Sequence, residues 1–254
     1  MSLPLPFRRL PIAHRAYHDR DAGRPENSLS AIRAAVAAGY GIEIDLQPSA
    51  EGVPMVFHDY SLERLTGATG PIRGRSSAEL QALPLIGGEE GIPTLAQVLA
   101  EVAGRVPLLV EIKDQDGALG PDVGALEAAA APLLAAYQGP LAVMSFNPHS
   151  MAAMARLAPG LARGLTTCAF RPDDWQLIAP ARLQELSDIP DYDRVGACFI
   201  SHEWQDLDHA RVTALKGQGA EILCWTIRSS ADEAQARKIA QNITFEKYPA
   251  EIPA

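Results

Sequence analysis

Gly41-Ile42-Glu43-Ile44-Asp45-Leu46 and, further along, Leu108-Leu109-Val110-Glu111-Ile112-Lys113 are the stretches on which the fold turns. Each is an apolar run of strand length that carries charge at alternate positions. Side chains two apart on a strand share a face, so Glu43 and Asp45 point one way, and Glu111 and Lys113 do likewise. In an α/β barrel the inward residues low on a strand fill the core, whereas those at its C-terminal end face the reaction site. Charge where Val, Ile or Leu is expected marks the end of a barrel strand at a site.

Working outward, six further short apolar runs appear, at Pro11–His14, Leu141–Phe146, Ala162–Thr166, Gly196–His202, Glu221–Ile227 and Asn242–Phe245. Stretches of helical period separate most of them, at Ser28–Ala38, Thr94–Val102, Ala125–Tyr137, His149–Leu157, Leu207–Gly217 and Ala231–Gln241. Residues 169–194 are irregular and have room for one short helix. Alternation of this kind predicts a parallel barrel, and 254 residues suit the roughly 250 that eight strand–helix units need. The expectation is an α/β fold, a single distorted TIM-type barrel domain over residues 1–254. After the second strand, Pro48-Ser49-Ala50-Glu51-Gly52 is turn chemistry leading into a second extended run, Val53–His58, which predicts a hairpin. Such a hairpin returns His58 to the level of Glu43 and Asp45. Residues 60–91, rich in Gly, Ser, Thr and Pro, read as a loop excursion over the active face.

The net charge of -9 offers no broad attraction to nucleic acid or an anionic membrane, so an anionic substrate needs local positive charge. No apolar run reaches membrane-spanning length, and the proline-rich N-terminus lacks the apolar core of a secretory signal; a cytoplasmic location without stable membrane insertion is expected. Cys168, Cys198 and Cys224, odd in number and set in apolar stretches, read as reduced buried thiols.

Three converging carboxylates would repel one another and lose hydration, so a bound divalent cation is their natural counter-charge. Oxygen ligands favour Mg2+ or Ca2+, with Mn2+ also admitted, over Zn2+. One carboxylate alone would be explained by a rim ion pair; two independent i, i+2 pairs argue for a site. His14 and Arg15 end the first strand and His58 ends the hairpin. Cleavage of a phosphodiester near neutral pH needs one group to take a proton and another to give one, and imidazole suits both tasks. Arg15 and Lys113 would bind the non-bridging phosphate oxygens. Asn27, just after the first strand, is placed as a further polar contact to substrate, although helix capping also explains it. Trp225 on the seventh strand and His202 on the sixth are placed near the mouth, where packing accounts for either equally well. The glycine runs at 67–74 and 87–88 match no nucleotide-binding loop, and no G-x-S-x-G elbow occurs.

His14-Arg15, Pro25-Glu26-Asn27-Ser28, Glu43-Ile44-Asp45-Leu46 and Val56-Phe57-His58-Asp59 with Leu62, Arg64 and Thr66 together resemble the N-terminal signature of the glycerophosphodiester phosphodiesterases. The likeness continues at Val110–Lys113, Ser145-Phe146 and Cys224-Trp225-Thr226. It implies a distorted eight-stranded barrel that hydrolyses a small-molecule glycerophosphodiester to an alcohol and glycerol phosphate with a divalent cation, in lipid and glycerol metabolism. Carried over by position, Glu43, Asp45 and Glu111 would be metal ligands, His14 and His58 the acid–base pair, and Arg15 and Lys113 the phosphate contacts. The family mechanism also implies attack by a substrate hydroxyl and a cyclic phosphate that water then opens. Two departures stand out. Ala16 follows His14-Arg15 where the family usually has Gly, and the last strand reads Ile243-Thr244-Phe245-Glu246-Lys247 where a Thr-Asp pair is common. The competing expectations are a lysophospholipase D-like or cyclising lyase activity at the same site, and a phosphometabolite-binding barrel without turnover.

Overall fold

A computed structural model describes residues 2–253. Its strands are β1 (Ile12–Ala13), β2 (Gly41–Pro48), β3 (Pro54–Val56), β4 (Leu108–Ile112), β5 (Leu141–Ser145), β6 (Ala162–Thr167), β7 (Phe199–Glu203), β8 (Glu221–Ile227) and β9 (Asn242–Phe245). All but β3 are parallel, and each pairs with the next around the ring until β1 closes it, with Ile12 set against Gly41 on one side and Thr244 on the other. The eight expected runs are the eight barrel strands. β3 pairs antiparallel with the end of β2, Leu46 opposite Val56, which is the expected hairpin.

Alternation along the strands sorts the core into two layers. Ile42, Ile44, Leu108, Val110, Val143, Ile200, Ile222 and Ile243 face outward into one large buried cluster shared with the helices. Ile12, Leu109, Ala142, Phe199 and Leu223 point inward and form the floor of the barrel with Leu3 and Phe7 of the N-terminal segment. That segment plugs the bottom, held by the Asn242 side-chain amide, which donates to the carbonyls of Phe7 and Leu10 at 2.7 Å each. The floor tolerates little bulk: Gly164 on β6 lies where an added Cβ would stand 2.5 Å from the Phe199 ring.

The helices are α1 (Leu29–Ala38), α2 (Glu63–Thr66), α3 (Ser77–Gln81), α4 (Leu95–Val102), α5 (Ala125–Ala136), α6 (Pro148–Leu157), α7 (Pro180–Ser187), α8 (Ala210–Gly217) and α9 (Ser230–Ala236). α1 starts where the sequence predicts: the Ser28 hydroxyl accepts from the Ala31 amide at 3.1 Å, and Gly39 in the left-handed region ends it. Two expectations shift. α8 begins at Ala210, after a short 3-10 turn (Trp204–Asp206), because the His209 ring caps it. α9 stops at Ala236, and Gln241 is already tied to the Ile222 backbone through its amide and its side-chain oxygen at the entry to β9.

The excursion at residues 60–91 is more than a loop. It carries α2, a 3-10 turn (Ile72–Gly74) and α3, and Leu62, Leu65, Ile72, Leu80 and Leu85 close over Met55 and Phe57 in a core of its own. Turn-rich composition hid this, because helices of four and five residues show no period.

Candidate active site

β2 and β4 are adjacent and in register, with Asp45 directly beside Glu111 and Glu43 one step lower beside Leu109. One oxygen from each of Glu43, Asp45 and Glu111 lies within 4.8 Å of the others, and all three residues are buried. Crowded like charges in a low dielectric drive the members apart in proton affinity. Burial first, then the charges of Asp45 and Glu111, push the Glu43 carboxyl well above the usual carboxylate range. Asp45 goes the other way: burial raises it, but Lys113, His58 and Arg15 outweigh that and hold it well below its ordinary value. The Lys113 ammonium sits 2.8 Å from Glu111 Oε1 and 3.1 Å from Asp45 Oδ1. One carboxyl raised by its neighbours' charge, in an all-oxygen set of hard donors, is what a site for a hard divalent cation provides. The residues present fit such an ion, with Glu43, Asp45 and Glu111 to hold it.

The turn after β1 aims backbone at this cluster. Arg15, Ala16 and Asn27 all have positive φ (53°, 67° and 57°), a region that costs energy for residues with a Cβ. The strained turn lets the Arg15 amide donate to Glu43 Oε2 at 2.8 Å, while the Ala16 amide reaches the Glu43 carbonyl at 2.9 Å. Ala16 thus takes by strain the conformation a glycine would hold freely. Asn27 departs from expectation. It is fully buried, does not line the cavity, and its side-chain amide donates to Asp45 Oδ2 at 3.0 Å, so it orients a carboxylate instead of facing substrate.

Each histidine is backed by a carboxylate. His14 Nδ1 lies 2.7 Å from Glu246 Oε2, and His58 Nδ1 lies 2.6 Å from Asp59 Oδ1. Burial, opposed by the Glu246 hydrogen bond, lowers His14 to about 4, which leaves it neutral near pH 7. Burial pushes Glu246 up, but hydrogen bonds with His14 and His18 and the Arg228 guanidinium at 2.7 Å prevail, keeping it well below the carboxylate range. Behind His58, Arg64 clasps Asp59 and reaches Glu26 at 2.8 Å, and Glu26 in turn binds Arg15 at 2.8 Å. Burial raises the Glu26 carboxyl, yet Arg64 and Arg15 bring it down to about 2. An ion-pair chain therefore ties the hairpin histidine to the arginine after β1.

His14, Arg15, Glu43, Asp45, His58, Glu111 and Lys113, drawn from across the first half of the chain, all line one cavity of about 150 Å3. Its far wall includes Phe146, Thr166, Trp225 and Thr244. The Trp225 indole donates to the Ser201 carbonyl at 3.0 Å and meets Phe146 edge to face. His202 does not line the cavity; it is buried between Thr167 Oγ1 (2.8 Å) and Asp206 Oδ2 (3.2 Å). The three cysteines are free and buried, and burial pushes the Cys168 and Cys224 thiols up to about 12, so they carry no nucleophilic role. Glu246, Asp59, Arg64 and Arg228 were not singled out from sequence for these roles. Asp59 and Arg64 stand in the sequence only as members of the N-terminal signature, and Glu246 only as a departure in the last strand.

Hard oxygen donors set between two carboxylate-backed imidazoles at the C-terminal rim of a barrel define a hydrolase of phosphate esters. Comparison with known proteins gives the particular kind. Residues 14–243 match the model of the glycerophosphoryl diester phosphodiesterase family. A glycerophosphodiester phosphodiesterase of Caldanaerobacter subterraneus is 27% identical over 233 residues, 88% of this chain and 87% of that one. Among solved structures, an Oleispira antarctica phosphodiesterase in complex with the product sn-glycerol-3-phosphate superposes with a TM-score of 0.76 at 26% identity, covering 94% of each chain. A glycerophosphodiester phosphodiesterase of Parabacteroides distasonis shares the fold at a TM-score of 0.69 and 24% identity, over 92% of this chain and 91% of that one. The chain belongs to the glycerophosphoryl diester phosphodiesterase family and is a hydrolase of glycerophosphodiesters.

Proposed function

We propose that this chain, as one catalytic barrel domain in the cytoplasm, splits a small glycerophosphodiester into an alcohol and glycerol phosphate, with His14 and His58 as its acid–base pair. The observation that carries this reading is the shared cavity: seven polar side chains from four segments converge on a space sized for a phosphate and its substituents. Glu43, Asp45 and Glu111 hold one divalent cation, Mg2+ or Ca2+, which when bound supplies positive charge against the charge that builds on the phosphoryl oxygens.

The remaining work falls to the chain's own residues. Arg15 and Lys113 bind and orient the non-bridging oxygens, and the Trp225 ring closes the wall beside them. One imidazole takes the proton of the attacking hydroxyl as the new O–P bond forms. The other gives a proton to the alcohol oxygen as its P–O bond breaks. If the attacking hydroxyl is the substrate's own, a cyclic phosphate results; water then opens it, the two histidines exchange roles, and one water is consumed overall. Glu246 and Asp59 each engage the Nδ1 side of one ring, fixing ring orientation and leaving Nε2 for chemistry. Asn27 and the Arg15 amide hold the carboxylates for the ion.

The test is product formation from a panel of glycerophosphodiesters, followed by phosphorus NMR, before and after chelation and with Mg2+, Ca2+ or Mn2+ restored in turn. Release of alcohol and glycerol phosphate that stops on chelation and returns with a cation is the expected result. Absence of any product with all three ions would remove the reading.

A further inference from the structure

Arg228 directly follows β8, and Lys113 directly follows β4, the strand four places away in either direction around the ring. Both line the catalytic cavity, so the two cations approach it from opposite sides. Their surroundings differ. Lys113, with 13% of its side chain exposed, is held between Glu111 and Asp45, and Arg15 also lies 3.8 Å from Asp45. The Arg228 side chain is 52% exposed. Among the described residues its one ion-pair partner is Glu246, reached through Nε at 2.7 Å, and it pairs with none of the three clustered carboxylates.

Glu246 cannot satisfy the whole guanidinium. Its Oε2 is taken by His14 at 2.7 Å, with His18 3.6 Å from the same atom, so Arg228 has only Oε1 to meet and meets it through one nitrogen. The two terminal nitrogens make no hydrogen bond among the described residues, although they form an edge that can grip a carboxylate or phosphate in parallel. Lys247 adds to this. Its side chain is 66% exposed, and its ammonium stands 3.8 Å from the same Oε1, beyond hydrogen-bond reach. Two permanent cations against one carboxylate leave a positive charge at this rim, on a chain whose net charge is -9. The acids of α9 turn elsewhere: Glu233 pairs with Arg237 at 2.7 Å, and Asp232 accepts from the Ser229 hydroxyl at 2.7 Å. A solvated surface cation needs no explanation; an arginine that lines a catalytic cavity with its gripping edge free does.

We infer that Arg228, supported by Lys247, is a second anion subsite at the β8–β9 rim, and that the substrates this chain prefers carry a carboxylate or a phosphate on the alcohol besides the diester itself. The inference rests on the phosphodiesterase reading of the cavity. Glu246-Lys247, part of the departure in the last strand, thereby bears on substrate choice: the carboxylate places Arg228 as well as His14, and the lysine adds charge beside it. Because the contact lies away from the reacting atoms, it is made alike in the ground state and the transition state, and the preference it gives belongs to KM.

Substrate pairs that differ by one negative group read this: glycerophosphoglycolate against its amide, glycerophosphoserine against glycerophosphoethanolamine, and glycerophosphoglycerol phosphate against glycerophosphoglycerol. A charge-assisted contact at a half-exposed site should give the more anionic member a kcat/KM roughly 5- to 30-fold higher, and the preference should shrink as salt is raised to about 0.5 M. The pairs that respond tell whether carboxylate or phosphate is the ligand. Arg228→Gln also loosens Glu246 and should lower kcat for both members of a pair; the ratio between them reports the subsite, and it should fall toward one. Arg228→Lys, which keeps the charge without the fork, should retain part of the ratio, and Lys247→Gln should cut it about twofold. A ratio of one for every pair in the unaltered chain would overturn the inference. So would a ratio that Arg228→Gln leaves in place, or one that is removed equally by Arg171→Gln, at an exposed arginine outside the cavity. Calorimetric titration with ethyl phosphate and with phosphoglycolate, in the presence of Mg2+, keeps the two readings apart. Tighter binding of phosphoglycolate that Arg228→Gln abolishes, without turnover of any diester, upholds the subsite and removes the hydrolase; turnover of diesters with equal binding of the two ligands does the reverse.

Discussion

His14 Nδ1 and Glu246 Oε2, 2.7 Å apart, join the end of the first barrel strand to the residue after the last. β1 and β9 are neighbours in the closed ring, so closure of the barrel is what completes this pair. The carboxylate makes Nδ1 the protonated nitrogen of a neutral ring and fixes the other as the acceptor. Glu246→Gln keeps the shape and removes the charge, so it should lower kcat by roughly 10- to 100-fold, a part of what acid–base catalysis contributes, with KM nearly unchanged. Glu246→Asp, which restores a carboxylate on a shorter stem, should recover part of the loss. Equal changes in kcat and KM, or no recovery, would mean that Glu246 only supports the wall.

His58 approaches the cluster from the hairpin and is held by Asp59, outside the carboxylate trio. His58→Ala should therefore leave cation affinity intact and lower kcat by about two to four orders of magnitude. Glu43→Gln should do the opposite in binding and weaken cation affinity directly. Titration calorimetry beside steady-state kinetics reads both, and parallel loss of the ion in the two variants would show the roles to be wrongly divided.

Glu43, raised first by burial and then by the charges of Asp45 and Glu111, is a strained member of the cluster that a cation relieves. A ligand that binds only the folded chain stabilises it by about 2.7 kcal/mol at a hundred times its Kd. For a chain of this size that corresponds to a rise in Tm of roughly 5–10 °C. Thermal melts of chelated protein with added Mg2+ or Ca2+ should show the rise, and Glu43→Gln should shrink it. Identical melts with and without both ions would argue against the cluster as their site.

Much of this site is legible in the chain because it depends on local rules. The i, i+2 pairs Glu43/Asp45 and Glu111/Lys113 define a face, and the Pro48–Gly52 turn sets the return of His58. What was not legible lies across long separations. Glu246 is 232 residues from His14, and only ring closure sets them side by side. Arg64 and Glu26 are 38 apart and meet because the excursion folds on its own small core. Asn27 sits at the mouth by sequence but is turned inward by a positive φ, which no pattern of residue types announces. Residues 169–194, whose lack of period gave one short helix, realised as α7, also supply Trp175, Leu177 and Ile178 to the wall of a groove beside the cavity, and no pattern of residue types announced that wall.

Gly164 and Phe199 give a test of the floor beneath the site. The two are aligned on neighbouring strands, and the Phe199 ring occupies the space where any side chain at 164 would begin, with three ring carbons 2.5–2.6 Å from an added Cβ. Ring carbons in a filled barrel have nowhere to retreat, so Gly164→Ala should cost about 1–3 kcal/mol and several degrees of Tm. Phe199→Leu alone leaves a void and also destabilises. If the clash is the cause, the double variant should be more stable than the sum of the two losses, because the smaller side chain makes room for the new methyl. Thermal melts of the two single variants and the pair provide the cycle, and strict additivity would show that Gly164 is required for some reason other than the ring.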